Sequence, residues 1–123
     1  MKSKTITIQG KEVTLGYCNA TEIGYKLLTG EDVYVYFTDA IKAIQEERMP
    51  DIQKTIYMII AAIKAYSEYT GEEAAITDRE LMYDADQIEI GTALGTIIQL
   101  RSEFYHLPTV TGEPEEKADP KNE

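Results

Sequence analysis

Downstream of Pro50, the residues Ile52, Ile56, Ile59, Ile63 and Tyr66 recur at three- and four-residue steps. That spacing is the period of one face of an α-helix and does not suit a strand. Met58 and Ile60 widen the apolar arc. Proline fits the first turn of a helix, where its missing N–H would have no intrahelical partner anyway. Thr70-Gly71 supplies a stop, because glycine readily takes the left-handed conformation that closes a helix. The pattern predicts a helix from Pro50 to about Tyr69. A helix this apolar must be covered, so we expect it to be the central element.

The segments around it supply the cover. Lys4–Ile8 and Glu12–Leu15 alternate apolar and polar residues on either side of Gln9-Gly10-Lys11. They read as a β-hairpin with Ile6, Ile8, Val13 and Leu15 on one face. A lone hairpin is marginal in water and needs helices or a partner strand against it. Asn19 and Glu22 have capping-box spacing for a short helix over about residues 20–29, with Ile23, Leu27 and Leu28 as its buried side and Thr29-Gly30 as its stop. Residues 32–37, rich in valine and tyrosine, read as a short extended piece. The alternative is the lead-in to a helix capped by Asp32 or Thr38. A helix follows from about Asp39 to Glu47, with Ile41 and Ile44 on one side, and Met49-Pro50 closes it. Thr77 and Glu80 open a short helix near 78–84. Asp84 or Asp86 caps a last long helix carrying Ile90, Leu94, Ile97, Ile98, Phe104 and Tyr105, which ends before Pro108. The fold class expected is mainly α: a small helical bundle with an N-terminal β-hairpin. Residues 1–108 form one domain, and residues 109–123 form a flexible acidic tail. Residues 113–123 hold five carboxylates, two lysines, two prolines and no large apolar side chain, too little to offset the entropy of ordering.

Charge and composition narrow the function. The 123-residue chain has a formal net charge of −10, so neither nucleic acid nor an anionic membrane is an expected partner without a basic patch. The most apolar run, Ile56–Ile63, is far shorter than a membrane span, and the first residues lack the apolar stretch of a secretory signal. One cysteine excludes an internal disulfide, and one histidine excludes the common multi-histidine metal sites. Glu103 and His106 have the spacing of dimetal carboxylate bundles, but such a site needs a second histidine. Cys18 has only His106 as a candidate base and reads as a buried structural cysteine. Gly91 and Gly95 make a small-x-x-x-small pattern, which in a bundle predicts tight helix packing. The carboxylate pairs Glu46-Glu47, Glu72-Glu73 and Asp84 with Asp86 read as solvated surface. No cofactor and no catalytic or metal-binding residue is expected.

Nine tyrosines against no tryptophan is the more telling count, because tyrosine pairs an apolar ring with a polar tip and is enriched at interfaces. Tyr34, Tyr36, Tyr57, Tyr66 and Tyr69, aromatic side chains near helix edges, are the candidate contact residues. The acidic balance would steer such a surface toward a neutral or basic protein partner.

Several segments together resemble the tail assembly chaperones of long-tailed bacteriophages and related prophages. They are the hairpin leading into Leu15-Gly16-Tyr17-Cys18-Asn19-Ala20-Thr21-Glu22, then Lys26-Leu27-Leu28-Thr29-Gly30, and the helix opened by Pro50. Leu81-Met82-Tyr83-Asp84-Ala85-Asp86 and the stretch from Ile97 to Leu107 complete the likeness, which covers roughly residues 4–108. The resemblance implies a non-enzymatic factor in the host cytoplasm, absent from the mature virion. It implies binding to the tape measure protein during tail assembly, and recruitment of tail tube protein around it. Some members are made in short and frameshift-extended forms, and the acidic tail would suit a linker at that junction. The family offers no catalytic residue to carry across. A homo-oligomer is compatible with this reading. The alternatives are a small adaptor or regulatory protein-binding domain of a mobile element, and an enzyme subunit whose active site lies at a homodimer interface.

Overall fold

The computed structural model describes residues 1–107, so the expected tail at 109–123 lies outside the described residues. The order is β1 (Lys2–Ile8), β2 (Lys11–Tyr17), α1 (Asn19–Thr29), α2 (Val33–Gln45), α3 (Ile52–Thr70), α4 (Asp78–Tyr83) and α5 (Gln87–Tyr105). The chain is mainly helical with a small N-terminal antiparallel hairpin. The expected hairpin is present with Ile8↔Lys11 as the pair nearest the turn. The turn is two residues, Gln9 and Gly10, both with positive φ (53° and 73°), the conformation that matches the twist of paired strands. Val13, Leu15 and Tyr17 are buried along β2.

α3 is the central helix, touching α1, β2 and α5. Its burial extends well beyond one stripe: Met58, Ile59, Ile60, Ala61, Ala62 and Ile63 are all buried. Asp51 caps it by accepting the Lys54 N–H at 2.9 Å, and Gly71 closes it at φ 78°. Pro50 therefore lies just before the helix instead of in its first turn, and Ile52 is largely exposed. The capping box of α4 forms as expected: Glu80 N–H donates to the Thr77 hydroxyl at 3.1 Å and Thr77 N–H to Glu80 Oε1 at 2.9 Å. Asp86, not Asp84, caps α5, in a second such box with Glu89. Glu89 also accepts from the Gln9 N–H and the Gln9 side-chain amide, both at 2.9 Å, which fastens the hairpin turn to the start of α5. These donors hold the Glu89 carboxyl below its ordinary range, and the Lys11 ammonium with the Thr77 N–H does the same for Glu80.

Three expectations are corrected. Residues 33–45 form one helix, so the extended piece at 32–37 is absent and the alternative of a helix capped by Asp32 holds. Asp32 caps it by accepting the Tyr34 N–H at 2.9 Å, and Val33, Tyr36, Phe37, Ala40 and Ala43 turn inward at helical spacing. Strand propensity yields here to packing: the helix turns Tyr36 and Phe37 toward one core, where a strand would send them to opposite faces. Ile41 is half-buried and Ile44 exposed, their expected core places being taken by Ala40 and Ala43. In α1 the cap position is Cys18, one residue before Asn19, and Cys18 is only partly buried. Thr21, not Glu22, bonds back, accepting the Cys18 N–H at 3.2 Å. The buried side of α1 is Thr21 and Tyr25, while Ile23, Leu27 and Leu28 face outward. The cause is a close crossing of α1 and α3: a Cβ on Gly24 would lie 3.5 Å from that of Ala61, so the face with the smallest residue meets α3.

The third correction concerns Gly91 and Gly95. Both are exposed, and a Cβ added at either would meet nothing within 4 Å. α5 buries its other side, including Ile90, Ala93, Leu94, Ile97 and Ile98. The glycines line an open apolar groove of about 370 Å³ with Ile44, Met49, Pro50 and Ile52. A helical glycine without a close neighbour only costs helix propensity. Gly95→Ala should therefore raise the unfolding free energy by about 0.5–1 kcal/mol in a denaturant titration. A loss of stability would mean that the glycine accommodates a neighbour.

Candidate protein-docking surface

α1 ends at Gly30, whose positive φ of 77° turns the chain, and α2 begins at Val33. The last turns of α1 and the first turns of α2 therefore lie side by side. On α1, Ile23 is 60% exposed and Leu27 82%, four residues apart on the side away from α3. Leu28 and the α2 residues Tyr34 and Val35 are also exposed. Glu22, Ile23, Lys26, Leu27, Asp32 and Val33 line a concavity of about 270 Å³ at this corner. The result is an apolar surface with two carboxylates and one ammonium at its rim.

Behind the rim is a polar aromatic cluster. Glu22 Oε2 accepts both the Tyr17 hydroxyl at 2.7 Å and the Tyr105 hydroxyl at 2.6 Å, joining α1 to β2 and to the last turn of α5. Burial, and then the Glu22 carboxylate, push the Tyr17 phenol far above its ordinary range. For Tyr105 the bond to Glu22 is the larger cause, and its phenol is pushed up to about 12. The Arg101 guanidinium carbon lies 4.6 Å from the Phe37 ring centroid and 5.8 Å from that of Tyr105, a cation–π arrangement. Its Nε is buried without a hydrogen-bond partner. Glu22 and Arg101 each join elements here, Glu22 linking α1 to β2 and α5 and Arg101 linking α5 to α2.

The five tyrosines named from the sequence are dispersed. Tyr34 is 68% exposed in the first turn of α2, and Tyr69 is 74% exposed in the last turn of α3. The Glu31–Lys54 ion pair of 3.0 Å places the chain just before Tyr34 near the start of α3. The fifteen residues from Lys54 to Tyr69 then put Tyr69 about 22 Å further along the helix axis. Tyr57 and Tyr66 are half-buried. Tyr36 is buried, its hydroxyl 2.7 Å from that of Thr55 and its phenol pushed up to about 12 by burial. Of the five, only Tyr34 is exposed close in sequence to the turn between α1 and α2. By sequence spacing alone, Ile23 and Leu27 read as core. The signal that could have exposed them is an excess: Ile23, Tyr25, Leu27 and Leu28 point to more than one side of an eleven-residue helix.

His106 is exposed at the C-cap of α5. Among the described residues no group of three or more His, Cys, Asp or Glu side chains could hold a metal ion. No helix there is long and apolar enough to cross a membrane. The chain matches no family model, no curated protein and no solved structure.

Proposed function

We propose that this protein is a non-enzymatic assembly chaperone that holds an apolar helical segment of a larger partner. The observation that carries the reading is the outward apolar face of α1, Ile23 and Leu27, beside a concavity that reaches Asp32 and Val33 of α2. Covering a large apolar side chain contributes about 1.5–3 kcal/mol, so Ile23 and Leu27 together could supply about 3–6 of the roughly 8 kcal/mol of a micromolar interaction. An amphipathic helix would present its side chains at matching three- and four-residue steps.

The resemblance to phage tail assembly chaperones gives the proposed partner: the tape measure protein, with the tail tube protein as a second. On that reading the protein works in the host cytoplasm and leaves before the virion is complete. The test is co-expression with the long helical protein encoded downstream. The expected result is that this partner becomes soluble and co-purifies only when the chain is present. If the partner behaves identically with and without it, the proposal fails.

A further inference from the structure

The hairpin has an outer edge that no described residue covers. From the Ile8↔Lys11 pair beside the two-residue turn, hydrogen-bonded and non-hydrogen-bonded pairs alternate. Ser3, Thr5 and Thr7 fall in the non-bonded pairs, opposite Gly16, Thr14 and Glu12. Their N–H and C=O groups therefore point away from the partner strand. On β2 the corresponding edge is in use: the Gly16 carbonyl accepts the Thr21 hydroxyl at 2.8 Å. On β1 these peptide groups have no partner among the described residues, and all three residues are exposed.

Charge selects what can pair there. β1 carries Lys2 and Lys4, follows the amino terminus and has no carboxylate, in a chain of net charge −10. Lysines on an edge strand discourage a second copy of the same strand. The same lysines favour an acidic one. α5 runs along the hairpin and ends at this end of the sheet. Its start is tied to the turn through Glu89 and Gln9, and its last turn places Tyr105 against Tyr17, with ring centroids 6.5 Å apart. Tyr17 is the register partner of Lys2, so α5 ends where β1 begins. Sixteen residues follow Leu107, opening with the β-branched run Thr109-Val110-Thr111 and continuing with the five carboxylates of 113–123. Seven-residue β1 spans about 23 Å, which sixteen extended residues exceed about twofold.

We propose that the chain's own acidic segment, residues 109–123, whose side chains bury too little to order it alone, adds in extended form to the outer edge of β1, where backbone hydrogen bonds and ion pairs take the place of burial. Backbone hydrogen bonds to Ser3, Thr5 and Thr7 would hold it, and its carboxylates would neutralise Lys2 and Lys4. This inference is independent of the docking surface on α1 and α2.

Amide hydrogen exchange followed by NMR on the full chain tests it, beside a full-length variant carrying Glu113→Gln, Glu115→Gln, Glu116→Gln and Asp119→Asn. The amides of Ser3, Thr5 and Thr7 should exchange at least tenfold slower in the native chain than in the variant. The inward amide of Ile6 should be unchanged and reports that the hairpin is intact. Carbodiimide coupling should join Lys2 or Lys4 to a carboxylate of 113–123 within one chain. Equal exchange of the three outward amides in both proteins would overturn the proposal. Protection that rises with protein concentration, with cross-links between two chains, would overturn it in favour of a second copy.

Discussion

Phe37→Ala should lower the unfolding free energy by about 3–5 kcal/mol, the range for truncating a buried aromatic residue. Phe37 is 1% exposed, and its ring lies between those of Tyr17 and Tyr36 at centroid distances of 6.1 and 5.3 Å. Its loss leaves a cavity at the junction of β2, α2 and α5. It also removes the aromatic face under the Arg101 guanidinium, whose Nε has no hydrogen bond to compensate. Val35→Ala, two residues earlier on an exposed side of the same helix, should change stability by less than about 0.5 kcal/mol. Guanidinium titrations of both variants check the contrast. Equal small effects would mean that residues 32–37 are not a helix with one face in the core.

Ile23→Asp combined with Leu27→Asp should weaken partner binding by at least about 100-fold, because two apolar contacts worth about 1.5–3 kcal/mol each are lost. Stability should change little, since neither side chain is in the core and the buried face of α1 is untouched. The measurement is a binding titration of the co-expressed helical partner, with circular dichroism melting as the control. Tyr34→Ala should weaken binding further, and Tyr69→Ala should not, because Tyr69 stands at the other end of α3. Unchanged affinity in the double variant would place the docking surface elsewhere on the molecule. The groove lined by Ile44, Met49, Ile52, Gly91 and Gly95 would then be the next surface to alter.

Local chemistry made much of the architecture legible. The Gln9-Gly10 turn, the glycine stops at Gly30 and Gly71, and the Thr77–Glu80 box each act within a few residues, so the sequence states them directly. The candidate surface was less legible. Residue type points to five tyrosines, yet one is core, two are half-buried, and the two exposed ones are far apart. Residue type sets what a side chain can do in contact, but exposure depends on which neighbour arrives.

By itself, the sequence determined a mainly helical chain with an N-terminal hairpin, the central place of the helix after Pro50, the Thr77–Glu80 box and the stops at Gly30 and Gly71. Helical period, turn chemistry and capping are properties of short stretches. Only the tertiary structure decided that Asp32 begins a helix whose Tyr36 and Phe37 enter the core. It alone decided that Ile23 and Leu27 face outward while Gly24 meets Ala61. An apolar residue on a helix is buried only if another element covers its side. In α1 the close crossing with α3 gave that cover to Gly24, Thr21 and Tyr25.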